Sequence, residues 1–169
     1  MKIEQQPRLP IDPRPIVCIG AGGIMRDAHL PAYRKSGFPV AGVYDKDRGS
    51  AEKLAADFGI PCVHGSLEEA VEAAVKQNAV FDIATPASAI PGIVDALPDG
   101  AAALIQKPMG EDLEHAREIR GLCRRKKLTA AVNFQLRFAP CNAGARSLID
   151  QGAIGEIHDM EINVNTHTP

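Results

Sequence analysis

Short, unbroken apolar runs alternate along this chain with stretches whose apolar residues recur at helical spacing. Residues 15–20 (PIVCIG) form such a run and end in glycine, the pattern of a strand buried on both faces. Residues 23–36 then take helical periodicity, with Pro31 expected to disturb the helix. A second run, 38–45 (FPVAGVYD), ends in an acid. Residues 48–59 (RGSAEKLAADFG) predict a helix, with Leu54 and Phe58 four apart and Gly59 closing it. Residues 61–64 (PCVH) predict a short third strand, and Ser66 with Glu69 spells a capping box for the helix after it. Runs at 80–85 (VFDIAT), 101–106 (AAALIQ) and 128–134 (LTAAVNF) predict further strands, with helices at about 89–97, 111–127 and 140–151. The 111–127 helix opens on acids and closes on basic residues, both favourable to the helix dipole.

The ends read differently. Pro7, Pro10 and Pro13 among polar residues make 1–14 an extended tail. Residues 155–169 alternate instead, with Ile157, Met160, Ile162 and Val164 mostly keeping period two, which predicts a half-buried strand of antiparallel character. Regular strand–helix alternation over 15–135 predicts an α/β fold: a doubly wound parallel sheet of the Rossmann type with right-handed crossovers. Residues 136–169 then read as the first helix and strand of a second α/β domain.

Composition narrows the function classes. At 169 residues the chain can bury a useful core. Its 19 Lys and Arg against 21 Asp and Glu give a net charge of −2, which argues against a nucleic-acid partner. No apolar run reaches the ~20 residues of a membrane span, and the start has no apolar signal-peptide core, so no membrane partner and a cytoplasmic location are expected. Cys18, Cys62, Cys123 and Cys141 lie far apart with no metal spacing, and are expected to be reduced and mostly buried; no metal set is expected. His64, His115 and His158 are expected at the surface.

The chemistry gathers at strand ends. G-A-G-G-I-M starts at Gly20, the last residue of the first strand. Gly20 permits a tight turn, Gly22 lets backbone amides approach a pyrophosphate, and the next helix offers its N-terminus to the negative charge. Gly23 and Ile24 complete the motif, but Met25 stands where a third small residue is usual. Asp45 ends the second strand 25 residues after Gly20 and can accept hydrogen bonds from a ribose diol, favouring NAD over NADP. Lys46 and Arg48 follow and can tolerate a phosphate, which keeps NADP admissible. Two further strand ends carry polar turns, Ala84-Thr85-Pro86 and Gln106-Lys107-Pro108. Lys107, pinned by Pro108, is well placed to reach a ligand, and part-burial would fit it for proton transfer.

These motifs together resemble the N-terminal part of the Gfo/Idh/MocA family of NAD(P)-dependent oxidoreductases. The resemblance rests on G-A-G-G-I, H-L-P-A at 29–32, Asp45, A-T-P at 84–86, Q-K-P at 106–108, N-F-Q-L-R-F at 133–138 and G-A-I-G-E-I at 152–157. It implies a Rossmann domain joined to a second α/β domain. It implies a hydride transfer between a nicotinamide cofactor and a hydroxyl or carbonyl carbon of a sugar, inositol or related polyol. The cofactor residues it implies are Gly20, Gly22, Gly23, Ile24, Asp45, Lys46, Thr85, Pro86, Gln106 and Lys107. Lys107 takes the catalytic role of the family's Glu-Lys-Pro lysine, often with a cis bond to proline. Asn133 and Arg137 join it as substrate-side candidates, and His29 is read as a helix-packing residue.

The chain departs from the family pattern at Gln106, where a neutral amide replaces Glu, and at Ile90, where relatives often carry His. The family's second-domain acid/base motif does not occur before Pro169, so the chain is expected to be part of one about twice as long and inactive by itself, with homo-oligomers formed through the second domain. The other reading on the same fold is a non-catalytic nucleotide-binding module that senses or regulates. Lys107 favours the enzyme and Gln106 the module.

Overall fold

A computed structural model describes residues 2–163. They divide into two compact units, one formed by 10–134 and one by 2–9 with 135–163.

In the larger unit, β1 (Ile16–Ile19), β2 (Val40–Tyr44), β3 (Val80–Ile83), β4 (Ala102–Gln106) and β5 (Thr129–Asn133) form a wholly parallel sheet in the order β2-β1-β3-β4-β5. Between them run α1 (Leu30–Ser36), α2 (Arg48–Phe58), α3 (Leu67–Lys76), α4 (Ile90–Ala96) and α5 (Leu113–Arg125). Strand alternation splits the core between the two faces. Val17, Ile19, Phe81, Ile83, Ala103 and Ile105 pack under α3, α4 and α5, against Ala70, Ala74, Ile90, Val94 and Ile119. Ile16, Cys18 and Val43 turn to the other face, under Met25, Leu30, Ala51 and Leu54. Burial of each large aliphatic or aromatic side chain contributes about 1.5–3 kcal/mol.

The helix after β1 does not run evenly. Met25–His29 is a π turn in which the N–H of Leu30 reaches back to the carbonyl of Met25. Pro31 has no N–H to give and its ring crowds the carbonyl four residues before, so the turn ahead of it widens. Met25, placed where a small residue is usual, is wholly buried in the core of that face.

Helix ends follow their residues. The Ser66 hydroxyl caps α3 by accepting from the N–H of Glu69 at 3.1 Å, while the Glu69 carboxylate accepts from Gly65, one residue further back than a standard box. Asp112 caps α5 and Gly59 ends α2 in the left-handed region, at φ 69°.

Three expectations are corrected. Residues 61–64 make a single bridge, Val43 with Val63, and no strand, because Pro61 removes a donor and only two apolar residues follow it. Cys18 alone of the four free thiols is buried; Cys62 and Cys141 are exposed. His64 is buried beside the backbone of Gly42, where only a glycine leaves room for its ring.

The smaller unit contains the 3-10 turn Gln135–Phe138 and α6 (Pro140–Asp150), whose Ser147 hydroxyl accepts from the N–H of Glu4. Residues 155–163 form no strand: Ile157, Met160 and Ile162 are all exposed, and period two alone supplies no partner for the backbone N–H and C=O groups. Val164 lies outside the described residues.

Candidate functional site

The order of the sheet reverses direction at β1, between β2 and β3, so a crevice opens beyond the C-terminal ends of those strands. A cleft of about 340 Å³ lies there, lined by Gly20, Gly22, Tyr44, Asp45, Lys46, Thr85, Pro86 and Ser88 over an apolar floor of Ile19, Leu67 and Ile93.

Gly20 makes the turn. Its φ is +107° and a Cβ on it would come within 2.5 Å of the Ala84 carbonyl oxygen, so no other residue fits. Around Gly22, by contrast, a Cβ would meet nothing within 4 Å, which leaves room for a ligand to approach the backbone. Gly23 and Ile24 open the helix after this turn and are exposed.

Asp45 joins the turn to β2. Its Oδ2 accepts from the N–H of Ala21 at 2.7 Å and its Oδ1 from the N–H of Asp47 at 2.8 Å. Both oxygens keep a further lone pair, so the carboxylate is held in place and can still accept from a diol. Arg48 is committed to Glu52 at 2.7 Å, while Lys46 remains in the wall of the cleft.

A dinucleotide fits this set of groups. Thr85 Oγ1 is buried and finds no partner among the described residues, the state of a hydroxyl that a ligand completes.

The second polar turn lies at the end of β4. The Lys107–Pro108 bond is cis. Lys107 is exposed, not part-buried as its strand-end position suggested. Its backbone N–H donates to Gln106 Oε1 at 2.7 Å. Gln106 itself is buried, and its Nε2 lies 3.2 Å from His29 Nε2. Asn133, opposite Gln106 in the β4–β5 register, brings its Nδ2 to 3.1 Å from the same nitrogen. His29 Nδ1 lies 2.7 Å from Asp82 Oδ2, which also accepts from the Tyr33 hydroxyl at 2.7 Å. Arg137 belongs to the smaller unit, in its 3-10 turn.

Asp82 escaped the sequence reading because it sits inside an apolar strand. The signal was present: a carboxylate between Phe81 and Ile83 must be buried, and a buried carboxylate needs donors. His29 and Tyr33, four apart on one helix face, supply them. Two groups beside this carboxylate are perturbed. Burial, then the Asp82 charge and hydrogen bond, push the Tyr33 hydroxyl far above its ordinary range. Burial, with Asp82 adding to it, likewise raises the Cys18 thiol well above its usual value.

Comparison with known proteins agrees with this architecture. Residues 15–134 match the sequence model of an oxidoreductase family with an NAD-binding Rossmann fold, GFO_IDH_MocA. YceM of Salmonella typhimurium, an oxidoreductase by name, is 31% identical over 123 residues, covering 72% of this chain and 39% of that protein. The trans-1,2-dihydrobenzene-1,2-diol dehydrogenase of Mus musculus is 29% identical over 141 residues, covering 82% of this chain and 42% of its own. Among solved structures, an oxidoreductase from Thermotoga maritima superposes with a TM-score of 0.73 at 25% identity, over 86% of this chain and 45% of that one. The chain thus spans less than half the length of these curated relatives. No helix among the described residues is long and apolar enough to cross a membrane. The glycine turn locked to Asp45, the parallel sheet that carries both and the match over 15–134 have one common meaning: this chain belongs to the Gfo/Idh/MocA family of oxidoreductases, of which it carries the NAD-binding Rossmann domain.

Proposed function

We propose that the chain is the cofactor-holding part of a dehydrogenase acting on a CH–OH or carbonyl carbon of a sugar, an inositol or a related polyol. The observation that carries this reading is the Asp45 carboxylate, fixed by Ala21 at the mouth of the glycine turn. The diol substrate in the name of the mouse relative supports the substrate class.

Asp45 holds the adenosine ribose diol, and the Gly20–Gly22 backbone with the helix N-terminus faces the pyrophosphate. Thr85 and Pro86 flank the cleft further along. Bound NAD supplies the acceptor or donor of the hydride. Lys107 donates a hydrogen bond to the reacting oxygen and steadies negative charge on it. Asn133 is assigned to the substrate side. The alternative, a regulatory nucleotide-binding module, keeps the Asp45 half of this account and dispenses with Lys107.

Titration calorimetry with NAD(H) and NADP(H) tests the cofactor half. NAD(H) is expected to bind more tightly, and Asp45→Ala to narrow the gap, since the ribose loses an acceptor and a 2'-phosphate loses a repulsion. Equal affinities in the wild type would overturn this. Turnover of a sugar and polyol panel by the full-length protein tests the rest. Lys107→Ala should lower kcat/KM by about two orders of magnitude with cofactor affinity little changed. Turnover that survives unchanged in Lys107→Ala would remove Lys107 from the mechanism, and a full-length wild type that turns over nothing on the panel would return the chain to the regulatory reading.

A further inference from the structure

The hydrogen bonds beneath Lys107 have only one consistent direction. A backbone N–H can only donate, so the Gln106 atom 2.7 Å from the N–H of Lys107 is the amide oxygen. The other end of that carboxamide is then an NH₂ group, and it faces His29 Nε2. An NH₂ group cannot accept, so Nε2 must offer its lone pair. The Asn133 NH₂ makes the same demand on the same nitrogen. The ring proton is therefore on Nδ1, where it donates to Asp82 Oδ2. Tyr33 gives that oxygen a second donor, and Asp82 is 1% exposed, so the carboxylate has no water to turn toward.

The strands make the arrangement stiff. Asp82 pairs in register with Leu104 on β4, Gln106 lies two residues beyond Leu104 and so on the same sheet face, and Gln106 pairs in register with Asn133 on β5. Three neighbouring strands thus present Asp82, Gln106 and Asn133 to one imidazole. The π turn Met25–His29 ends on the residue that carries it.

We propose that Asp82 and His29 are positioning residues. They lock the Gln106 carboxamide in one orientation, and that carboxamide fixes the backbone N–H of Lys107 at the end of β4. The functional consequence rests on Lys107 acting on substrate as proposed above; the lock itself does not. A carboxamide passes no proton between its oxygen and its nitrogen at ordinary rates. Gln106 therefore separates Lys107 from the buried His29–Asp82 pair, and His29 serves geometry only.

The imidazole ¹⁵N resonances of the 169-residue chain at pH 8 test the lock without any substitution. His29 is expected to carry its proton on Nδ1, with Nε2 showing the shift of an unprotonated nitrogen. A proton on Nε2 in the wild type would overturn the proposal. Gln106→Glu replaces the facing NH₂ by an acceptor, so Nε2 should then become protonated; an unchanged His29 spectrum would count against the lock. Positioning is read by amide hydrogen exchange. His29→Leu should speed exchange of the Lys107 N–H at least tenfold more than it speeds that of the β1 and β2 amides, which report the global loss of stability. His29→Gln, whose side-chain oxygen can accept from Gln106, should restore part of the protection. Exchange at Lys107 that is unaltered in His29→Leu would overturn the positioning role. The two readings fail separately. Full turnover in Lys107→Ala with the Nδ1 proton in place sinks the dehydrogenase role of Lys107 and leaves the lock standing. An Nε2 proton with turnover lost in Lys107→Ala does the reverse.

Discussion

Two polar regions meet the C-terminal edge of the same sheet and are built on opposite principles. The mouth at β1 and β2 is mostly backbone: a turn at φ +107°, open space above Gly22 and one carboxylate fixed by two backbone N–H groups. The region under β4 and β5 is all side chain, with Asp82, His29, Gln106 and Asn133 drawn from four elements and largely removed from water. A site made of backbone can sit open to solvent, because its donors are satisfied by water until a ligand displaces it. A site made of buried side chains has no water to complete it and depends on its own members, which here serve Asp82 Oδ2 twice and leave its Oδ1 without a donor among the described residues. The first is suited to admit and release a ligand, the second to keep one residue in place.

Substitutions sharpen that contrast, and the largest effect belongs to the buried region. His29→Leu removes a neutral donor from an enclosed carboxylate, leaves it Tyr33 alone, and should cost about 3 kcal/mol of stability by urea unfolding. The double change His29→Leu with Asp82→Leu should recover part of that loss; a double change more costly than the sum would show that the charge itself is needed. At the mouth, Gly20→Ala should cost about 1–3 kcal/mol, from the strained φ and the Ala84 carbonyl, and should weaken NAD(H) binding in the same calorimetric assay used for Asp45→Ala.

Alkaline pH separates the regions next. Cys18 and Tyr33 have folded-state values raised above their ordinary 9.0 and 10.0, so the unfolded chain releases those protons first. Stability is then full below about pH 9 and falls as pH rises above it, by about 1.4 kcal/mol per pH unit for each group that ionises only on unfolding. Tyr33→Phe should flatten the part of that fall above pH 10, measured by thermal melts from pH 8 to 11. Smallest is Ser66→Ala, at about 1 kcal/mol, because it removes one cap at an exposed helix end.

The two regions also differ in how far the chain's own text revealed them. The turn at Gly20, the open backbone at Gly22 and the place of Asp45 beside them were legible because they depend on local conformation and on fixed offsets from a strand end. The capping of α3 by Ser66 was legible for the same reason. The strand proposed at 61–64 was not borne out, since pairing is decided by what lies alongside and not by two apolar residues after a proline. Residues 155–163 teach the same lesson: alternation marks a face, and a strand forms only where a partner satisfies its backbone. The exposure of Lys107 and the burial of His64 depended on neighbours that no local pattern names.

By itself the sequence determined the alternation of strands and helices, the parallel sheet that this implies and the glycine turn with its acid. Periodicity, glycine's freedom at positive φ and helix capping all act over a few residues, so a linear string contains them. Only the tertiary structure decided that Asp82, 53 residues from His29, would share a hydrogen bond with it, and that Gln106 and Asn133, 77 and 104 residues away, would close on the other ring nitrogen. Those meetings follow from strand order and register, which are set by the packing of two hydrophobic faces at once. Directional bonds between distant side chains have no signature in the chain until that packing brings them within reach.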